Sequence, residues 1–586
     1  MRTDARTYRF DDFTLHPAER QLQRNGADIT LRPKAFDTLV CLVRQHGHAV
    51  SKAELLDAVW PETNVSEAVL THCIAEVRQA LSDERGRPRF VKTMSRHGYK
   101  FIAPVEIGEA AEPADQSRET YATAAPLPAP STIVVLPFTN MSADAGNEYF
   151  CDGLSEELIN GLTRIGSLQV VAHSSSFSFK GRDIDAREIG RQLNAAMILE
   201  GSVRKDGDRL RVSAQLIDAT RGYHLWCNQY DRRLEDVFAI QEEISQAILA
   251  SLKLEFVNDG HAPLVRRSTA NMDAYMLYLQ GRTCWHNRYS GALEQAMDCF
   301  GQAIGKDPAF PLPYTGLADS LSTLGIWGFA RPRDVFPKAA ALAETAQALD
   351  DGLGEAHASR ALIRLFWDWD WSGAERGFIR ALDLNPGCAL IRLWNGHYLS
   401  MVGRMDEAIA EVKRAQALDP LSPVCSANVG WTFYLAHDIT RAIDELQRVL
   451  AREPQNAMAL FYLGYAWLEV GRDAEAIDCL RRADDLTHGM PWAAEGIGLA
   501  HGLAGRRDEA LAALRQADAR SAAGCLPASA LAIIHLGLGD DEKVLDALER
   551  GIDERDVLLP WLKFMPPFDR LHTHPRFQAV LGRLGL

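Results

Sequence analysis

LWNGHYLSMVGRMDEAIAEVKRAQALDPLSPVCSANVGWTFYLAHDITRAIDELQRVLAREP, residues 393–454, writes one pattern nearly twice. Gly396, Gly430, Gly464 and Gly498 fall 34 residues apart, and Ala408, Ala442, Ala476 and Ala510 keep the same interval. So do Pro386, Pro420 and Pro454, and the turn pairs Gly403-Arg404, Gly471-Arg472 and Gly505-Arg506, with His437-Asp438 in the intervening slot. Small residues at two fixed positions let two helices approach closely. A turn joins them, and a proline after the second helix stops it before the next pair begins. A fixed period of this length specifies a stack of helical hairpins.

The pattern resembles the tetratricopeptide repeat, with matching small residues as far upstream as Ala296 and Ala374. It predicts an all-α solenoid of about eight repeats over residues 271–558, one of them irregular around Gly325 to Asp351. Residues 559–586, with PPFDRLHTHPRFQAVLGRLGL, are expected to cap the apolar face of the last repeat. The resemblance implies that first helices line an inner groove, which would bring Trp431, Tyr434, Phe461, Tyr465 and Trp492 toward it. Two readings stand for these aromatics: packing between helices, or a groove for a peptide, a helix or a small apolar effector.

Working outward, 586 residues are too many for one domain, and 47% hydrophobic with 24% charged residues excludes wholesale disorder. No apolar run is long enough for a membrane span, and the start Met1-Arg2 lacks an export signal, so a cytoplasmic location is expected. The ten cysteines lack CxxC pairs, which argues for reduced core thiols rather than disulfides or a zinc site. The net charge of -15 conceals an asymmetry. Residues 1–105 carry 16 basic against 13 acidic side chains, whereas the rest carries 47 against 65. A basic head on an acidic body allows nucleic-acid contact at one end. The Pro/Ala-rich segment 107–130 reads as a linker, and a second composition break at 258–269 separates a middle part, residues 131–257, from the repeats.

In the head, residues 1–106, alternation over 8–31 with Asn25-Gly26 predicts paired strands. Arg32-Pro33 opens a helix that buries Phe36, Leu39, Val40, Leu42 and Val43 and closes at Gly47. Ser51 and Glu54 form a capping box for a second helix ended by Pro61, and Ser66 can cap a third that buries Val69, Cys73, Ile74, Val77 and Leu81. RFVKTMSRHGYKFIAPV reads as two strands around His97-Gly98. Strands, three helices and a hairpin make a winged helix-turn-helix of the α+β class, whose third helix enters the major groove.

The combination RPKAFDTLVCLVRQHGHAVSKAELLDAVWP, VSEAVLTHCIAEVRQALSD and RFVKTMSRHGYKFIAPV resembles the OmpR/PhoB-type DNA-binding domain, in the branch of ToxR-, CadC- and HilA-like regulators. The resemblance implies DNA contacts by Trp60, Arg78 and the wing residue Thr93. Where the family shows a His followed by an Arg pair, this chain has Cys73, Ala75 and Glu76, so Thr71 and His72 are left as base-edge readers. Lys92, Arg96, His97 and Lys100, with Arg87 and Arg89 before them, are expected at phosphates, where they position rather than specify.

The middle part alternates apolar strands such as STIVVLPF with helices, one of them carrying Phe150, Leu154, Leu158, Leu162 and Ile165, and predicts an α/β domain. VVLPFTNMS, EYFCDGLSEEL, LEGSVRKDGDRLRVSAQLIDATRGYHLW and EDVFAIQEEI resemble the TolB-like domain found beside tetratricopeptide arrays. No phosphate loop or hydrolase elbow is present, and Asp152, Glu156 and Glu157 read as a helix start favouring its own dipole. We therefore expect no catalytic residue, metal or cofactor. The expected partners are double-stranded promoter DNA, RNA polymerase, an effector or protein at the repeats, and a second copy of the chain. The rivals are a scaffold using the winged helix for protein contacts and, more distantly, a nucleotide-cyclising enzyme.

Overall fold

The computed structural model describes residues 6–17, 21–24, 27–29, 31, 33–59, 67–81, 83, 88–94, 98–109, 131–182, 184–252, 268–287, 290–487, 491–520 and 526–586. The Asn25-Gly26 turn, Trp60, Pro61, the Ser66 cap, Arg87, Arg96, His97 and residues 110–130 of the linker lie outside them, as do the side chains of Val69 and His72. The chain divides into two compact units, residues 1–127 and 128–586.

In the first unit, strands Arg6–Phe10, Phe13–His16, Gln21–Arg24 and Ala27–Ile29 form an antiparallel meander. A fifth strand, Glu106–Glu109, joins its edge by pairing with Arg6–Arg9. Residues 107–109, expected in the linker, thus belong to the edge strand of the head. Helices Pro33–Arg44, Lys52–Val59 and Glu67–Ala80 follow, and the capping box forms: the Ser51 amide donates to Glu54 at 2.8 Å, and the Glu54 amide to Ser51 at 3.1 Å. Strands Val91–Met94 and Gly98–Phe101 make the hairpin, and Ala49–Val50 pairs with its second strand. Phe10, Phe13, Phe90 and Phe101 interlock at the centre, so the wing and the N-terminal meander share one core with Leu39, Ile74 and Val77.

The second unit begins with a mixed sheet. Ser131–Val135 lies between the parallel strands Leu168–Val170 and Met197–Asp206, and Arg209–Asp218 and His224–Arg233 extend the sheet antiparallel. Helices Glu148–Leu162 and Val237–Leu252 cover one face, where Phe150, Leu154, Leu158, Leu162 and Ile165 are buried as expected. A short helix, His173–Phe177, falls where the sequence suggests none.

Sixteen helices from Met272–Asn287 to Asp541–Glu554 build the repeats among the described residues. The small residues act as the period requires: a Cβ at Gly430 would meet the Leu446 side chain at 2.5 Å, and one at Gly464 the Leu480 side chain at 2.6 Å. No described helix is long and apolar enough to cross a membrane. The nine described cysteines are free, and Cys227 is exposed rather than a core thiol.

Two features of this unit lie beyond the sequence reading. First, the sheet layer and the repeats share a seam. Leu279 and Tyr278 of the first repeat helix join the core of the sheet layer, and Ser174 and Ser175 donate hydrogen bonds to Asp419 in a later repeat. Second, the C-terminal segment does more than cap. Helix Pro575–Leu584 does pack on the last hairpin, where Arg576 pairs with Glu542, Asp546 and Glu549 at 2.7–2.9 Å. Residues 559–571, however, run back across the array. The Trp561 ring meets Phe366 and His397 edge-on, and its Nε1–H donates to Ser400 at 3.3 Å. Trp371 donates to the Leu584 carbonyl at 2.7 Å, and the Arg555 guanidinium lies over Trp369. The last repeats are thereby tied to earlier ones.

Along this returning segment Asp569 faces Glu469, His437, His572 and Tyr434. Burial and the Asp569 carboxylate push Glu469 up to about 7, against 4.5 unfolded. Between those values the folded chain holds a proton that the unfolded chain has lost, so stability falls as pH rises from about 4.5 through 7 and is flat above. Because Glu469 is partly solvated, we expect a fall of about 1–2 kcal/mol, removed by Glu469→Gln and readable in urea unfolding at pH 5 and 8.

Candidate nucleic-acid interface

Helix Glu67–Ala80 presents Thr71 and Ala75 to solvent one turn apart, with Cys73, Ile74 and Val77 buried behind them. One turn further, Arg78 is engaged: its Nη2 donates to the Val91 carbonyl at 2.9 Å and to Thr93 Oγ1 at 2.8 Å. The arginine singled out as a DNA contact therefore fastens the recognition helix to the wing, and the wing threonine is its partner. Thr93 itself is exposed.

On the wing, Lys92 stands directly opposite Lys100 across the two strands. Like charges at facing positions of an antiparallel pair are destabilising, and a phosphate between or above them removes that cost. Arg89, exposed before the wing, pairs with Asp11 at 2.5 Å. Exposed Thr71 and Ala75, the Arg78–Thr93 strut and the Lys92/Lys100 pair are thus carried by two elements that pack on one core.

Asp83 is a residue that the sequence reading missed. Its buried carboxylate accepts the amides of Arg89 at 2.6 Å, Phe90 at 3.3 Å and Val91 at 2.7 Å, and so sets where the wing begins. Its signal in the sequence is an acidic residue just past the helix end, beside a basic run. We expect Asp83→Ala to cost about 1–3 kcal/mol for each buried donor left unpaired. Hydrogen exchange of the Val91–Met94 amides in the full chain should then accelerate, with the repeat amides unchanged.

The model for "Transcriptional regulatory protein, C terminal" matches residues 26–101. Residues 26–101 are a winged-helix DNA-binding domain of the OmpR/PhoB type. A tetratricopeptide-repeat model matches residues 430–491. The chain is similar to adenylate cyclase 3 of Rhizobium meliloti, 34% identical over 44% of each chain, so it spans less than half the length of that relative. It is similar to the transcriptional regulator HilA of Salmonella typhimurium, 26% identical over 72% of this chain and 73% of that one. It is also similar to the transcriptional activator CadC of Escherichia coli, 35% identical over 17% of this chain and 19% of CadC.

Outside the OmpR/PhoB-type head, the acidic residues of helix Glu148–Leu162 do not decorate a helix start, which corrects the sequence reading. Asp152 accepts from Lys180 at 2.6 Å, and Glu156 is buried at the seam against Arg282 and His286. Burial alone would raise the Glu156 carboxyl, but Arg282 and His286 hold it well below the usual range. Burial pushes Glu157 up to about 7. Ligand atoms of Glu156, His173 and His286 lie within 4.8 Å of one another. The two imidazoles, however, stack 3.7 Å apart and 4° from parallel, and Arg282 already occupies Glu156. Parallel rings do not converge their lone pairs, and a guanidinium repels a cation, so this set fits a structural ion cluster rather than a metal.

Of the repeat aromatics, Trp431, Tyr434, Phe461 and Tyr465 are buried and packed on one another. Tyr462, not singled out from the sequence, stacks on Trp431 at 4.5 Å. Trp492 differs, being half-buried and lining a cavity.

Proposed function

We propose that this chain is a bacterial one-component transcription regulator whose head binds double-stranded promoter DNA while the TolB-like and repeat parts receive an input and set self-association or contact with RNA polymerase. The observation that carries the reading is the Lys92/Lys100 pair, held on a wing that Arg78 fastens to the exposed Thr71–Ala75 face. The 72% overlap with HilA, well beyond the head, supports a regulator built from the same parts. A non-enzymatic role in the cytoplasm is part of this reading; Asp152 is taken up by Lys180 within the sheet layer, and Glu156 by Arg282 and His286 at the seam. Trp60, His72 and Arg96 remain part of the proposed DNA contact set, with Trp492 as the groove residue best placed for an effector.

The test is anisotropy of the full chain on labelled duplexes from its own upstream region, across about 50–200 mM salt, where several phosphate contacts give a steep loss of affinity. Lys92→Ala and Lys100→Ala should each weaken binding on every sequence and lower the salt slope by about 1. Arg78→Ala should weaken it more, since it unfastens the wing. Salt-insensitive binding would favour the scaffold.

A further inference from the structure

Within the array lies a half-open cavity of about 100 Å3. The turn Gly325–Arg333 of an early repeat forms one side, and helix Pro491–Leu503, the start of helix Ala528–Gly537 and residues 554–558 form the other. Trp327 and Trp492 supply aromatic walls, with Ile326, Leu526 and Val557. Glu495, Glu554 and Asp556 also line it, against Arg331 and Arg333.

Glu495 decides what this space fits. It is only 3% exposed, and a buried carboxylate needs a compensating charge or a full set of hydrogen bonds. Other buried acids of this unit have one or the other. Glu156 has Arg282, Glu411 has Arg392 and Arg414, Asp152 has Lys180, and Asp556 accepts the amides of Ser529 and Leu558. Among the described residues, no cation pairs with Glu495: Tyr465 lies beside it, and Asp556 adds a second negative charge. Burial together with Asp556 holds its proton on, well above the usual carboxylate range, against a smaller lowering by the Tyr465 hydroxyl. An uncompensated acid facing a cavity walled by two indoles is complementary to a positive charge carried on an apolar body. Aromatic faces and a desolvated carboxylate both favour such a ligand.

We propose that this cavity is a binding site for a small organic cation, an ammonium or guanidinium seated on Glu495 with its apolar body against Trp327 and Trp492. The ligand supplies the charge that the fold omits. Where Glu495 carries its proton, binding releases it to solvent, so the cation binds more tightly as pH rises. The site joins an early repeat to the last ones, so an occupant bridges the closure of the array.

Calorimetry on the full chain tests this with three probes of one shape: benzylamine, benzyl alcohol and benzoate. Benzylamine should bind at least tenfold more tightly than benzyl alcohol and benzoate less tightly than either. At pH 6 the heat for the amine should vary with buffer ionisation, reporting the released proton. Glu495→Gln, close to isosteric, should remove the preference for the amine and the proton release. Ile326→Trp, which fills the cavity from its edge, should abolish binding of amine and alcohol alike and guards against a Glu495 variant that fails to fold. Equal affinity for amine and alcohol, preference for benzoate through Arg331 and Arg333, a preference that survives Glu495→Gln, or no binding of any probe would overturn the proposal. These readouts hold whether or not the head binds DNA. Repeating the anisotropy experiment with benzylamine asks separately whether the cavity controls that binding.

Discussion

Arg282→Met should destabilise the second unit by about 3–5 kcal/mol, because it strands a buried carboxylate. Glu156 has a side chain 5% exposed, and its Oε1 takes two hydrogen bonds from Arg282, at 2.5 and 2.9 Å, and one contact from His286 at 3.0 Å. The pair joins the sheet layer to the first repeat helix, so its loss should loosen the seam rather than one helix. The double variant Glu156→Gln/Arg282→Met removes the charge as well as its partner and should recover most of the loss, since a neutral buried pair escapes the desolvation cost. Urea unfolding of the two variants measures the difference; equal destabilisation by both would show that packing, not charge, holds the seam. The sign with pH follows. Glu156 is held well below its unfolded value of 4.5, so its contribution is present above about 4.5 and is lost as acid protonates it.

The second large effect is expected at Trp561. Its side chain is buried in the returning C-terminal segment, between Phe366, His397 and Ser400. Trp561→Ala should cost about 3–5 kcal/mol, the range for truncating a buried aromatic, and Trp561→Phe clearly less. The same contact should govern how the array opens: in Trp561→Ala, protection from hydrogen exchange should fall in Ala389–Met401 and around Trp371 ahead of the sheet layer. Uniform loss across the second unit would instead mean that the segment is one packed element among many, with no special hold on the closure.

How much was legible in the sequence differs between elements for physical reasons. The repeats and the head were readable because their determinants are local or periodic. A 34-residue recurrence of glycine and alanine states which helices touch, and the Gly430–Leu446 and Gly464–Leu480 contacts follow from it. The capping box between Ser51 and Glu54 needs three residues of separation. The Glu106–Glu109 strand was not readable, because its pairing partner lies about 100 residues upstream and its own composition is nearly featureless.

Roles assigned to single charged residues were least secure, since a side chain's partner is a matter of three dimensions. Arg78 fastens the wing through Thr93, Asp83 gathers three amides, and Glu156 meets Arg282 across 126 positions of chain. Residue type announced a charge in each case, and nothing local announced what would meet it. By itself, the sequence determined the domain types, the repeat period and the basic head, all of which rest on spacing within one or two elements. The tertiary structure alone decided that the array closes through Trp561, that four of the five repeat aromatics are consumed by packing, and that Glu495 faces a cavity with no ion-pair partner of its own among the described residues. Burial and charge compensation are sums over neighbours from distant parts of the chain, and only folding brings those neighbours together.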